Sequence, residues 1–226
     1  MDSALSDGLT MSGRTVAAIF IAIFTGQAAI AGGIDVPPNF YDWSGVYVGG
    51  NVGYATGSFS ETPIGATSGS TQAISGAIVG GQIGANLQYR SALFGVEMDG
   101  DWSNQQGSGS SGTFLAGSIP GLATARVRIG FAYDTISYYA TGGAGRAWFK
   151  STSTTGAVSS SANMAWVAGV GQESVINRNL ILRFEVLYLQ LLGNVEIPTN
   201  PATSTQTVYD ILVRVGLNYK FDWPGN

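Results

Sequence analysis

The segment that closes this chain, residues 208–221 (VYDILVRVGLNYKF), alternates apolar side chains with polar, charged or glycine residues for most of its length. Because successive side chains of a strand point to opposite faces, the segment presents one apolar face and one polar face. The apolar face carries Tyr209, Ile211, Val213, Val215, Leu217, Tyr219 and Phe221, and the polar face carries Asp210, Arg214, Gly216, Asn218 and Lys220. An apolar face bounded by aromatic residues is typical of a strand in a transmembrane barrel.

Composition agrees with a membrane protein that lacks membrane-spanning helices. Only 11% of the 226 residues are charged and 33 are glycine, yet no apolar run beyond the N-terminal region is long enough for a helical span. The chain has no cysteine, so neither a disulfide nor a thiolate metal site stabilises the fold. Ten basic residues stand against fourteen acidic ones, which argues against a nucleic-acid partner.

The N-terminal region has the three-part pattern of a secretory signal peptide. Arg14 precedes the apolar stretch 15–24 (TVAAIFIAIF), and Ala-Ile-Ala at 29–31 offers small residues for cleavage. We therefore expect residues 1–31 to be removed, and the shortness of the apolar stretch disfavours an uncleaved anchor. The earliest residues are acidic, which is the wrong charge for a signal peptide, so Met11 is an alternative start.

After a linker at residues 32–42, eight strand-like stretches occupy residues 43–221, and a short tail follows at 222–226. The stretches lie at 44–56, 74–88, 93–103, 122–133, 136–149, 163–175, 180–191 and 207–221. Most reach the length of about 9 to 11 residues that a tilted strand needs to cross the hydrocarbon core. Short connections alternate with longer ones rich in Ser, Thr and Gly, which predicts that the short turns face the periplasm.

A soluble β-sandwich also alternates apolar and polar residues, so it is the main alternative fold. Here the polar face carries repeated glycines, which weaken a strand unless close packing requires them, as inside a narrow barrel. These glycines are Gly49, Gly53, Gly80, Gly84, Gly143, Gly145, Gly169 and Gly171. Aromatic residues also gather toward strand ends, as in girdles at a membrane interface. They are Trp43, Tyr54, Tyr89, Trp102, Tyr133, Trp148, Trp166, Tyr219 and Phe221. We therefore predict an all-β fold, an eight-stranded antiparallel transmembrane β-barrel.

Six segments resemble the small outer-membrane β-barrel proteins of alphaproteobacteria, which include porin-like surface antigens and hemin-binding proteins and share the fold of the OmpA membrane domain. The segments are YDWSGVYVGGNVGYATG, GAIVGGQIGANLQY, FGVEMDGDW, ARVRIGFAY, YYATGGAGRAW and VRVGLNYKF. The resemblance implies a barrel integral to the outer membrane of a Gram-negative cell. It also implies that Phe221 is the terminal aromatic residue recognised by the barrel-assembly machinery, although residues 222–226 follow it here.

The inward positions of the predicted strands carry both signs of charge in near balance. The acids are Glu97, Asp99, Asp101, Glu173, Glu185 and Asp210, and the bases are Arg126, Arg128, Arg183, Arg214 and Lys220. Because side chains can fill the interior of an eight-stranded barrel, we expect these groups to form an ion-pair network that plugs the lumen. A constricted pore lined with charges is the alternative.

The sequence gives no support to catalysis. The chain has no histidine, which excludes Ser-His triads and His-ligated zinc, and no set of nucleophile and base can be assembled. We predict no catalytic residue, no metal and no cofactor. Hemin, which some members of the resembled family bind, would need Tyr or Met as its axial ligand. Tyr41, Tyr47 and Tyr139 are better explained by packing in a girdle or in the lumen.

Two basic residues of the fifth stretch do not fit the lumen. The alternation places Arg146 on the lipid-facing side near the outer rim, where a charge costs little. We hypothesise that Arg146, together with Lys150, binds the phosphate of lipopolysaccharide. The alternative is a bulge that turns Arg146 inward.

The predicted function is that of a non-enzymatic outer-membrane barrel that contributes to envelope integrity and surface contacts and is surrounded by outer-membrane lipid. One alternative is a narrow porin for small solutes. The other is a surface adhesin or hemin-binding protein whose loops bind a ligand.

Overall fold

The structure is a computed structural model, and it describes residues 41–62, 70–108, 114–153, 158–192 and 205–221. The predicted signal peptide, most of the predicted linker and the C-terminal tail lie outside the described residues, as do the central parts of the four longer connections.

Eight antiparallel strands form a closed barrel in which each strand pairs with its neighbours in the chain and the last strand pairs with the first. The strands are β1 Gly45–Thr62, β2 Ser70–Tyr89, β3 Ala92–Ser108, β4 Phe114–Tyr133, β5 Ile136–Ser153, β6 Val158–Val175, β7 Leu180–Leu191 and β8 Thr205–Lys220. This architecture confirms the predicted fold class. Among the described residues, no helix is long and apolar enough to cross a membrane.

Strands β1 to β6 are longer than the predicted stretches, and the extra residues lie at the end away from the short turns. For β4 the prediction begins at residue 122, whereas the strand begins at Phe114. Taken together, the added segments are rich in Ser, Thr and Gly, and their apolar residues do not alternate regularly with polar ones. Hydrogen bonds to the neighbouring strands continue through them, so pairing extends each strand beyond the point where alternation ends.

Two-residue turns join β2 to β3 and β4 to β5 at one end of the barrel, which we call the turn end. Arg90 and Asp134 open these turns with φ of 56° and 51°, which is uncommon for residues other than glycine. In the connection from β6 to β7, the side-chain oxygen of Asn177 accepts hydrogen bonds from the backbone amides of Asn179 and Leu180 at 3.1 and 3.0 Å. The opposite end, where the four longer connections begin and end, is called the loop end.

Inward glycines make room for aromatic rings inside the barrel. The ring of Tyr47 lies against Gly84 and the ring of Tyr139 lies against Gly171, so closely that a Cβ atom at either glycine would overlap the ring. Close packing therefore requires these glycines, as expected in a narrow barrel. Outward-facing Gly100 differs, because a Cβ atom there would meet nothing within 4 Å.

Candidate functional site

Three layers of side chains occupy the lumen between the turn end and the loop end. The turn-end layer is apolar and consists of Trp43, Leu93, Ala132 and Ile181, with Tyr41 and Val175 packed against it. The charged layer lies in the middle. The loop-end layer is apolar and larger, and it consists of Ala55, Ile74, Ile78, Ile119, Leu122, Ala147, Phe149, Ala165, Val167, Leu187, Leu189, Leu191, Val208 and Leu212.

The sequence prediction missed both apolar layers, although β7 contains a signal for one of them. Arg183 and Glu185 point inward from this strand, and Leu187, Leu189 and Leu191 follow in the same phase. The outward positions of β7 are also mostly apolar, so its second half is apolar on both faces. Such a strand indicates that both faces are covered, and here the inner face is covered by the loop-end layer.

Trp43 lies inside the barrel, and its predicted place in the aromatic girdle is wrong. Its side chain is completely buried in the turn-end layer. Its Nε1 donates a hydrogen bond to the carbonyl oxygen of Asp134 at 3.1 Å, and its backbone amide donates to the side chain of Gln88 at 2.8 Å. Tyr41 meets its ring edge to face, with 5.1 Å between the centroids. Trp43 thus packs inside the turn end of the lumen.

Arg126 and Arg214 form the centre of the charged layer. Arg126 pairs with three carboxylates: Glu97, Asp99 at 2.8 Å and Glu185 at 3.1 Å. Arg214 also pairs with three: Asp99 at 2.9 Å, Asp101 at 2.6 Å and Glu185. The planar fork of donors in a guanidinium group suits it to bridge several carboxylates in this way.

Arg128 connects the charged layer to the aromatic rings. It pairs with Glu173 at 2.9 Å and with Glu97 at 3.4 Å, and its Nη1 donates to the hydroxyl of Tyr47 at 2.6 Å. Its guanidinium carbon lies 3.7 Å from the centroid of the Tyr139 ring. This stacking adds a cation–π contact to the ion pairs.

Glu97 and Glu185 join the four arginines into one network. Glu97 contacts Arg126, Arg128 and Arg183. Glu185 contacts Arg126, Arg214 and, at 3.6 Å, Arg183. Because these residues come from β3, β4, β7 and β8, the network ties together strands on different sides of the lumen.

Neutral polar groups complete the charged layer. Tyr47 and Tyr139, for which packing in a girdle or in the lumen was predicted, both lie in the lumen, whereas reasoning from charge alone did not identify the other groups. Three hydroxyls donate to its acids: Tyr47 to Glu97 at 2.5 Å, Tyr139 to Glu185 at 2.9 Å and Thr124 to Asp99 at 2.6 Å. A chain of amides continues from Asn51 to Gln82 at 2.9 Å and from Gln82 to Asn218 at 2.7 Å. These residues lie at the inward-facing positions of their strands, and their polar side chains at those positions were the available signal in the sequence.

Asp210 and Lys220 make their contacts at other levels of the lumen. Asp210 lies beside the loop-end layer, where it accepts a hydrogen bond from Gln105 Nε2 at 2.6 Å. Lys220 points into the turn end, where its Nζ donates to the carbonyl oxygen of Asp42 and lies 4.6 Å from the ring centroid of Tyr41. All the other predicted lumen residues belong to the charged layer.

The carboxylates and guanidinium groups of the charged layer neutralise one another. Its five carboxylates and four guanidinium groups are all nearly or completely buried, and each contacts an opposite charge. Burying a charge without a partner is costly, so this pairing is what allows the charges to be buried inside the barrel. Within the described part of the chain, no group of three potential ligands is placed to hold a metal ion.

Comparison with known proteins assigns the barrel to a family. Residues 16–221 match the family model described as the outer membrane protein beta-barrel domain. The chain belongs to this family. It is 33% identical over 207 residues to the 31 kDa outer-membrane immunogenic protein of Brucella melitensis, a match that covers 82% of this chain and 86% of that protein.

Two further matches are weaker. The chain is 26% identical over 195 residues to the 25 kDa outer-membrane immunogenic protein of Brucella abortus, with 86% of each chain covered. Among solved structures, the outer membrane protein OprG from Pseudomonas aeruginosa matches with a TM-score of 0.49 and 13% identity, over 82% of this chain and all of that one.

Family membership confirms the predicted resemblance. It also shows that the protein is integral to the outer membrane. Barrels of this kind have short periplasmic turns and longer extracellular loops. On that rule the turn end lies on the periplasmic side and the loop end on the outer side.

The outer wall of this outer-membrane barrel is apolar in the middle and aromatic toward both ends. Exposed aliphatic side chains in the middle include Val48, Val52, Ile83, Val96, Val127, Ile129 and Val215. Exposed aromatic side chains toward the turn end include Tyr89, Phe94, Tyr133, Tyr219 and Phe221, and those toward the loop end include Tyr54, Trp102, Trp148, Trp166 and Tyr209. Two aromatic girdles around an apolar band are typical of outer-membrane barrels.

Arg146 and Lys150 point outward from β5, and both side chains are exposed. The alternative of a bulge that turns Arg146 inward is wrong, because β5 pairs in continuous register with β4 and β6 around this residue. The irregularity lies in the neighbouring strand β4, whose register shifts between Ser118 and Gly121.

Phe221 ends the barrel at the turn end. Its backbone amide donates to the carbonyl oxygen of Val46 at 2.9 Å, and its exposed ring meets the ring of Tyr219 edge to face at 5.1 Å. Its role as an assembly signal stays a prediction.

Proposed function

We propose that this protein is a closed, non-catalytic barrel that strengthens the outer membrane and displays polar loops at the cell surface. The filled lumen is the observation that supports this proposal most directly. A charged layer in which every described charge has a partner lies between two apolar layers, and a narrow porin would instead need a continuous polar path.

The two kinds of layer oppose the passage of solutes for different reasons. A solute that crosses the charged layer has to separate buried ion pairs such as Arg214 and Asp101, 2.6 Å apart, which exposes charges at a high cost. A polar solute that reaches the loop-end layer meets apolar side chains such as Phe149 and Leu122, which favour exclusion of water.

Display of loops at the surface is supported by the relatives. The two Brucella proteins compared above are described as outer-membrane immunogenic proteins, which fits proteins whose loops are accessible outside the cell.

Conductance measurements test the closed lumen. The mature protein is purified, reconstituted into planar bilayers and compared with an open porin in the same preparation. We expect no steady current from the barrel, while flotation with liposomes verifies that it has inserted. A steady ohmic conductance would overturn the closed model and support the narrow porin.

The envelope role is tested in the source cell. Deletion of the gene is expected to increase sensitivity to detergents and to large hydrophobic antibiotics, and a plasmid copy is expected to restore resistance. Unchanged sensitivity in the deletion strain would contradict a role in envelope integrity.

A further inference from the structure

The outer wall contains a groove between two exposed tryptophans near the loop end. The groove has a volume of about 620 Å³ and includes Trp102, Pro120, Gly121, Trp148 and Lys150 in its lining. Trp102 and Trp148 lie on either side of Gly121 in one row across β3, β4 and β5. Gly121 has no side chain to fill the space between the indoles, and the register shift of β4 lies next to it. We call this feature the outer groove.

The exposed charges of the wall around the outer groove have a single sign, because Asp101, which also lines the groove, points inward and pairs with Arg214. Arg146 and Lys150 are the only charged residues among the outward-facing side chains that the structure describes in the strands. Lys150 lines the groove, and Arg146 lies two positions from Trp148 on the same face of β5. Two cations without an outward acid create a local positive potential that attracts an anionic lipid group.

These residues lie at the level of the outer one of the two membrane–water interfaces. Arg146 lies ten residues beyond Ile136, the first residue of β5, which corresponds to a rise of about 25 Å for a strand at the usual tilt. This rise is close to the height of about 25 Å that the apolar band of such barrels has. The groove therefore lies at the level where the first part of each acyl chain meets the lipid headgroup.

We propose that the outer groove binds a phosphorylated, multiply acylated lipid of the outer leaflet, of the lipopolysaccharide class. The headgroup-proximal part of an acyl chain lies between Trp102 and Trp148 over Gly121, and the phosphates of the headgroup bind Arg146 on the membrane side of this row and Lys150 on its outer side. This site lies on the outer wall, so it goes beyond the proposed function and does not depend on whether the lumen conducts.

The spacing of the two cations favours a headgroup with two separated anionic groups. Arg146 and Lys150 are four residues apart on one face of a strand, a distance of about 13 Å between their Cα atoms. The headgroup of lipopolysaccharide carries phosphates at both ends of a disaccharide, whereas a simple phospholipid carries one. Ser118 and Ser160, which pair with Lys150 from the two neighbouring strands, add hydroxyl groups at the headgroup end.

A lipid titration tests the electrostatic half of the proposal. The folded barrel in neutral detergent is titrated with diphosphorylated lipid A and with fully dephosphorylated lipid A, and bound lipid is counted by native mass spectrometry. The double variant Arg146→Gln/Lys150→Gln should lower affinity for the phosphorylated lipid at least about tenfold, since charge-assisted bonds are lost. The variant Arg90→Gln removes an exposed cation at the turn end and should leave binding unchanged.

A second pair of variants tests the apolar half. Gly100 lines the outer groove and has free space where a Cβ atom would be, so Gly100→Val should fold and fill the groove. We expect it to weaken binding of both lipids. Gly50→Val is the matched control, because Gly50 also faces outward with room for a Cβ atom but lies outside the groove.

Two outcomes would overturn the proposal. One is equal affinity of the wild-type barrel for the phosphorylated and dephosphorylated lipids. The other is wild-type affinity in both the double variant and Gly100→Val. Heat-modifiable migration in electrophoresis verifies that each variant is folded, so that loss of binding is not confused with loss of the barrel.

Discussion

Arg214 shows how a single side chain stabilises the interior of this barrel. Its guanidinium contacts two acids from β3, Asp99 and Asp101, and one from β7, Glu185. Removing one charged residue from a buried ionic cluster destabilises the fold by more than the net contribution of the cluster suggests, because the remaining charges stay buried without compensation. Arg214 therefore contributes to stability mainly by compensating the charges of these three carboxylates.

We expect Arg214→Met to lower the free energy of unfolding by about 3–5 kcal/mol, because three buried carboxylates lose a common partner. The measurement is urea unfolding of the refolded barrel in detergent micelles. Arg90→Met, which removes an exposed cation at the turn end, serves as the control and should unfold like the wild type. Equal stability of both variants would show that the buried network does not stabilise the fold.

Tyr139 combines a hydrogen bond with a stacking contact, and two substitutions separate them. Tyr139→Phe keeps the ring beside Arg128 and removes the donor to Glu185, so we expect a loss of about 1–3 kcal/mol. Tyr139→Leu removes the ring as well and should be less stable than Tyr139→Phe. The same unfolding measurement compares them, and a Phe variant as stable as the wild type would assign the stabilisation to the ring alone.

At the scale of the strand, glycines on the two faces have different roles. Inward glycines such as Gly84 are required because an aromatic ring occupies the place of a side chain. Outward Gly100 has free space beside it, so no contact among the described residues explains why the strand contains glycine there. The groove proposed for a lipid gives that glycine a reason.

This contrast predicts opposite effects of one substitution on two strands. Gly84→Ala should destabilise the barrel by about 1–3 kcal/mol, because the new methyl group overlaps the ring of Tyr47 and forces the wall to shift. Gly100→Ala should be neutral or stabilising by up to about 1 kcal/mol, because alanine restricts the unfolded chain. Thermal unfolding followed by circular dichroism compares the two, and similar losses in both would contradict the argument.

The strands also show which parts of an element the alternation of side chains does not predict. Alternation predicted the membrane-level part of each strand, and it predicted β7 with the same bounds as in the structure. It failed at the loop end of β4, where the strand begins eight residues earlier, at Phe114 rather than at residue 122. There the residues are held by hydrogen bonds to β3 and β5 across register shifts that interrupt the alternation, and Ile119 packs into the loop-end layer.

At the scale of the whole molecule, assembly in the cell and stability after assembly can be separated. Phe221 has an exposed ring at the turn end, so its packing contributes little inside the barrel. We expect Phe221→Ala to reduce the amount of heat-modifiable barrel in outer-membrane fractions several-fold. The same variant, refolded from urea into detergent, should have nearly wild-type stability.

Tyr133→Ala provides the matched control for this prediction. Tyr133 is another exposed aromatic residue at the turn end, but it lies far from the C-terminus. It should leave the amount of assembled barrel nearly unchanged. An equal loss with both variants would indicate that assembly depends on the aromatic girdle as a whole and not on Phe221 in particular.

The sequence by itself determined the architecture, because a side-chain period of two and aromatic ends leave few folds for strands of this length. It also determined which charges face inward, since that follows from the phase of each strand. Only the tertiary structure decided which partners those charges have: Arg126 meets Glu185 from a strand three positions later in the chain, at 3.1 Å. Closure of the barrel brings such residues together, and local patterns carry no information about contacts across a lumen. For the same reason only the structure showed that Trp43 and the apolar layers lie on both sides of the charges.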